Sequence, residues 1–166
     1  MGSTREPSWG AGRISAAVAF IGARLRADFA DTGLPRIDFR NDPSWAADGH
    51  APHTGTHGWQ LPSDVIVQCG GHEFPLGLEH GVESACAAAA DALQDDVIGR
   101  SGQPWPELRS ADGVFVGVLE PRLQPGGLAH WRLHDEPFCA VGHLAGAVAA
   151  AGLAIVPVKH GTAAGG

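Results

Sequence analysis

Val82-Glu-Ser-Ala-Cys-Ala-Ala-Ala-Ala-Asp-Ala-Leu-Gln-Asp-Asp-Val-Ile-Gly99 leads through Gln103-Pro-Trp-Pro-Glu107 into two apolar runs, Val114-Phe-Val-Gly-Val-Leu119 and Leu128-Ala-His-Trp-Arg-Leu133. Val82, Cys86, Ala90, Leu93 and Val97 recur at helical spacing, while Glu83, Asp91, Gln94 and Asp95 take the other face. The pattern predicts an amphipathic helix, with Gly99 as its left-handed C-terminal cap. Its apolar stripe needs a sheet to cover it. The two apolar runs, joined through a Pro125-Gly-Gly turn, predict an antiparallel strand pair packed on that helix.

The chain on either side extends the same plan. Ile14, Val18, Ile21, Leu25 and Phe29 predict a first helix after a loose lead-in at 1–12, with Arg13, Arg24, Arg26 and Asp28 pointing away from its buried stripe. Gly33 and Pro35 stop this helix, and Arg36-Ile-Asp-Phe-Arg40 alternates as a half-buried strand. From 41 to 63 no periodicity survives, and the dense Pro and Gly predict a long loop. Val65-Ile-Val67 reads as a strand, with Gly70-Gly71 turning into another. The expected fold is therefore α+β, two main helices on a small, mostly antiparallel sheet, in one domain over 13–158 with a tail at 159–166.

The run from Phe138 to Val158 is almost wholly apolar and close to spanning length. Its Ala and Gly content, His143 and Pro157 make a poor membrane segment. The expectation is a buried strand at Phe138–Val141, a short Ala-rich helix, and a buried strand at Leu153–Val156.

Of the 166 residues, 44% are hydrophobic and only 17% charged, which suits a globular domain with part of its surface covered by a partner. A formal charge of -7 repels a phosphate backbone, so nucleic acid is not an expected partner. Three cysteines without paired spacing, and no signal peptide, point to a reducing cytoplasmic setting.

Candidate chemistry is sparse. His50, His53 and His57, near Asp48, are the candidate metal ligands, with zinc the alternative to having no cofactor. Cys69 with His72 and Cys139 with His143 would complete a tetrahedral site only if the fold joined them, and ordinary burial is the favoured reading. Ser84, Ser101 and Ser110 lack a glycine-flanked elbow, and Cys86 reads as a small core residue. No phosphate loop or dinucleotide fingerprint is present.

Ala90-Asp-Ala-Leu-Gln-Asp-Asp-Val-Ile98, Trp105-Pro-Glu107, Leu119-Glu-Pro121, Ala129-His-Trp131 and Val141-Gly-His-Leu144 resemble the framework of a group of small actinobacterial proteins. The resemblance covers the C-terminal half and implies a folding unit without a settled activity. Two Cys-Pro pairs in that group hint at a metal site. Here Leu108 and Leu133 stand near those places.

Tryptophan is enriched at binding hot spots. Trp105 and Trp131 are expected to plug the core, whereas Trp45 and Trp59 fall in the long loop, where nothing regular buries them. Asp95 and Asp96 oppose the helix dipole, which fits either a solvated face or a contact with something basic. Together these give a non-catalytic protein-interaction or structural subunit, part of a larger cellular or phage assembly, with a protein partner or a second copy and no membrane. Trp45, Trp59, Asp95 and Asp96 are the candidate contact residues. The rival is a metal-binding module or metal-dependent enzyme.

Overall fold

The structure, a computed structural model, describes residues 9–43 and 61–159. In chain order the described elements are α1 (Ala11–Asp28), β1 (Ile37–Asn41), β2 (Val65–Cys69), β3 (His72–Pro75), α2 (Val82–Ser101), β4 (Glu107–Ser110), β5 (Phe115–Val118), β6 (Glu120–Leu123), β7 (Ala129–Leu133), β8 (Glu136–Ala140), α3 (Leu144–Ala150) and β9 (Leu153–Ile155). One-turn 3-10 helices at Pro62–Asp64 and Leu78–His80 precede β2 and α2. The fold is α+β as the sequence predicts, with helices packed on antiparallel strands. Those strands form three small sheets, ordered β1-β2-β3, β5-β4-β9 and β6-β7-β8.

The first helix buries the stripe expected of it, with Ile14, Ile21 and Leu25 sealed from solvent and Phe29 just past its end. The second does the same with Cys86, Ala90, Leu93 and Val97, but it outruns Gly99. Ser101 Oγ donates to the Val97 carbonyl and Arg100 bonds Asp96 one turn back, so the helix holds until Gly102 takes the left-handed position (φ 69°). Gln94 is also not on the solvent face. Its side-chain amide is buried and donates to the carbonyls of Trp105 (2.7 Å) and Leu119 (2.6 Å).

That amide marks a second departure from expectation. The run Val114–Leu119 is two strands in effect, because the chain changes sheets at Leu119. Before it, β5 pairs with β4, and after it, β6 pairs with β7 in the register Glu120↔Arg132 to Leu123↔Ala129. The partner of Leu128–Leu133 is therefore β6, with the Pro125-Gly-Gly turn placed as expected. Leu119 itself is fully buried, its N–H bonded to the Pro106 carbonyl. A residue between two sheets has no ladder of its own, so Gln94 and Pro106 satisfy its backbone.

The β5 and β7 regions still meet, because Gly117 has no side chain. A Cβ there would lie 2.6 Å from Leu133 Cδ1 and 3.1 Å from the His134 ring. The β7–β8 turn thus rests on β5, and the His134 ring bonds the Val116 carbonyl at 2.8 Å. His134 and Asp135 both adopt positive φ (49° and 68°), the backbone of a two-residue hairpin turn normally given to Asn-Gly. That ring contact, and the Asp135 carbonyl taken by the Arg132 guanidinium, hold a turn that neither residue favours alone.

Residues 138–158 form β8, α3 and β9, matching the strand, short helix and strand expected there, though the strands are half-buried rather than buried. Among the described residues no helix is long and apolar enough to cross a membrane.

Replacing Gln94 by Leu keeps the volume and removes the only side-chain donor bonded to the Trp105 and Leu119 carbonyls among the described residues. The expected cost is about 1–3 kcal/mol, the penalty for buried acceptors left unpaired. Urea unfolding should show a lower midpoint with an unchanged slope.

Candidate functional site

The aromatic centre of the molecule lies where α1 ends. Phe29 packs against Trp105 with ring centroids 4.8 Å apart, and Trp105 meets Trp131 edge to face at 5.8 Å. Both indoles are buried, as expected. An indole N–H in such a place must find an acceptor. Trp131 Nε1 donates to Asp28 Oδ2 at 2.7 Å.

Asp28 is only 8% exposed. The Gly142 N–H also donates to its Oδ2, and the Leu144 N–H donates to Oδ1 at 3.0 Å. One carboxylate thus ties the end of α1 to β7, to the turn after β8 and to the first turn of α3. Four residues earlier Arg24 does parallel work, donating from Nε to the Val141 carbonyl (2.7 Å) and from a terminal nitrogen to Glu83 (2.8 Å). Glu83 in turn accepts the Ala129 N–H at 2.8 Å.

Beside this node, the end of α1, the start of α3 and the stretch 155–158 enclose a cleft of about 230 Å³. Trp105, Leu144, Ile155 and Pro157 supply apolar lining, while Asp28, Asp31 and Thr32 supply the polar side chains. Thr32 is buried and donates its hydroxyl to the Phe29 carbonyl at 2.7 Å. Asp31 is exposed at the rim.

Arg24 and Asp28, expected off the buried face as charged residues, both turn inward. For Asp28 the signal was present. It lies seven residues after Ile21 and three after Leu25, on the same stripe. A carboxylate at such a position has to find donors, and the required indole and backbone N–H groups lie more than a hundred residues away in sequence.

The candidate contact and metal residues fall in three places. Trp45, Trp59, His50, His53 and His57 lie outside the described residues. Asp95 is exposed on α2, whereas Asp96 is engaged, 3.2 Å from Arg100 and 3.9 Å from His72, with its side chain 15% exposed. Because α2 continues to Ser101, both sit a full turn before its end, with Arg100 in the last turn to offset the dipole. The paired cysteine and histidine residues do not assemble. Cys69 faces His72 across the β2–β3 hairpin and Cys139 pairs with Trp131 in a different sheet. Among the described residues no group of three or more His, Cys, Asp or Glu is placed to hold a metal ion.

Nor does a thiol nucleophile emerge. Burial pushes Cys69 up from its ordinary value, with Asp96 adding to the effect, and its Sγ contacts the Pro35 carbonyl at 3.3 Å. Burial likewise raises Cys86 and Cys139 to about 12 each. A neutral buried thiol is inert.

With that geometry established, comparison with known proteins finds no matching family model, no matching curated protein and no matching solved structure.

Two outcomes test the site. A Cβ on Gly142, whose φ is 99°, would meet Arg24 Cγ at 2.8 Å and Cα at 3.1 Å. Gly142→Ala should therefore cost roughly 1–3 kcal/mol and lower the thermal midpoint, since neither the backbone angle nor the Arg24 main chain can give freely. For the thiols, at pH 8 a group titrating at about 12 is ionised in only about one molecule in ten thousand. Iodoacetamide at pH 8 should leave Cys86 and Cys139 unmodified in the native protein and alkylate them promptly in urea. The unfolded thiols ionise near 9.0, so stability is fully present below pH 9.0 and is lost as the pH climbs toward about 12. Unfolding midpoints measured at pH 8 and pH 10 report that loss.

Proposed function

We propose that this protein is a non-catalytic protein-interaction subunit, one part of a larger cellular or phage assembly, docking through the tryptophan-bearing segment 41–63. The observation that carries this reading is the distribution of apolar surface. Val114 and Phe115 follow the Asp112-Gly113 turn at 62% and 54% exposure, and Leu123 and Leu128 flank the Pro125-Gly-Gly turn. Leu61, also exposed, adjoins the segment that holds Trp45 and Trp59. Large side chains at the tips of hairpins bury little in the domain itself and can anchor in a partner's pockets. The three thiols are held protonated by burial and Asp28 is bonded into the scaffold, so among the described residues neither supplies a nucleophile. Asp95, exposed on α2, offers an acidic group to a basic partner. The acidic balance of the chain supports a protein partner over nucleic acid.

Size-exclusion with light scattering at micromolar concentration, with a native pull-down, tests the proposal. The expected result is an assembly larger than the 17.1 kDa chain or a stoichiometric partner, lost when Trp45 and Trp59 are both replaced by Ser while the melting curve is unchanged. A lone monomer with no partner counts against it. So does a stoichiometric metal in untagged protein that disappears with His50, His53 and His57, which would favour a metal module instead.

A further inference from the structure

We propose that the cleft at the end of α1 binds a small organic ammonium ion, with Asp31 and Asp28 as its counter-charges and Trp105, Leu144, Ile155 and Pro157 as the wall for its apolar part. This is independent of the docking segment.

The first support is the state of Asp28. Nine-tenths buried, it accepts hydrogen bonds only from uncharged N–H groups, and among the described residues no Lys, Arg or His side chain lies within 4 Å of it. Those three hydrogen bonds offset its desolvation, yet among the described residues no cationic side chain shares its charge. Its Oδ2 takes two donors while Oδ1 takes one, so Oδ1 retains capacity for another. Asp28 also lines the cleft.

The second support is the lining. The charged side chains of the cleft are both acidic, Asp28 and Asp31, and the rest is mostly apolar with one indole. Two aspartates and one indole among apolar lining form a combination that suits a cation with a hydrocarbon body. An anion would be repelled by both carboxylates. A neutral apolar guest would desolvate Asp28 further without offering it a donor. At about 230 Å³ the space is below the drug-sized range of roughly 300–1,000 Å³, so the guest is a fragment-sized primary amine. The net charge of -7 adds long-range attraction for a cation.

Phenethylamine is the probe, titrated into the full-length ¹⁵N-labelled chain at pH 7 beside phenethyl alcohol, its neutral counterpart of similar shape. The expected result is saturable amide shifts confined to the cleft, at Ala27, Asp31, Ala145 and Val156, with the alcohol at least about tenfold weaker. Asp28→Asn removes an acceptor from the scaffold and can unfold the protein, so the test rests on two rim variants. Asp31→Asn should weaken the amine about fivefold or more while leaving the alcohol unchanged. Ala145→Phe, at an exposed position on α3, should block both probes without moving the melting temperature. Absence of saturable shifts up to about 10 mM amine overturns the proposal, that being weaker than the roughly 4 kcal/mol that a millimolar site provides. Equal binding of amine and alcohol, or an amine affinity indifferent to Asp31→Asn, overturns it as well.

Discussion

A single carboxylate, Asp28, is the constraint on which the arrangement of the C-terminal half depends. It stands at the end of α1, where the helix dipole disfavours negative charge, and it is buried, where desolvation disfavours it again. Only the donors from Trp131, Gly142 and Leu144 make that position tenable. Hydrogen bonds to a charged group contribute about 1.5–3 kcal/mol each, enough to offset such a cost when they come as a set. The reverse dependence is as strong. A helix of seven residues such as α3 does not persist in water unaided, and its first-turn N–H at Leu144 is satisfied from outside by this oxygen.

Polar ties of this kind are needed because no sheet among the described residues is wide enough to organise the core. Each has three strands of three to five residues, and a small sheet offers little apolar face of its own. The helices therefore bridge sheets through side chains that reach backbone. Arg24 and Glu83 clamp α1 and α2 to the β7–β8 end, and Gln94 holds the Trp105 and Leu119 carbonyls where the chain changes sheets. Close approach is arranged at Gly142 and Gly117, where a methyl group would collide with Arg24 and Leu133. The apolar core supplies the driving force. The polar ties choose which strand goes where.

This division explains what could be read from residues alone. Apolar periodicity is local, so α1, α2, the Gly70-Gly71 hairpin and the strand, helix and strand after Phe138 were legible, as was the burial of Trp105 and Trp131. The break at Leu119 was not, because Val114–Leu119 is apolar on both faces and its change of sheet is set by Pro106 and Gln94, both distant in sequence. Gln94 and Asp28 were assigned to the solvent side by residue type, although their spacing put them on the buried stripes. Residue type was the wrong guide there. The end of α2 was misplaced by one turn because Gly99 tolerates a helix when Ser101 and Arg100 bond back along it. Of the candidate site, the cleft residues Asp31, Thr32 and Pro157 carry no motif, and only the tertiary fold brings them together.

The position of Asp28 also couples the scaffold to whatever enters the cleft. Asp28 is bonded to Trp131, Gly142 and Leu144 and is also one of the residues that line the cleft. A cation drawn into the cleft would share the charge that Asp28 otherwise holds by hydrogen bonds to uncharged N–H groups. By mass action such an occupant stabilises the folded chain by RT ln(1 + [L]/Kd), about 2.7 kcal/mol at a hundredfold excess over Kd. The same carboxylate bonds the first turn of α3 and the turn at Gly142, so the occupant and those elements share one charged group. Occupancy of a small surface cleft and the docking of the last helix are thereby two readings of one electrostatic balance. A ligand that reached only Asp31 would share none of it, since Asp31 lies at the exposed rim and holds no part of the scaffold among the described residues.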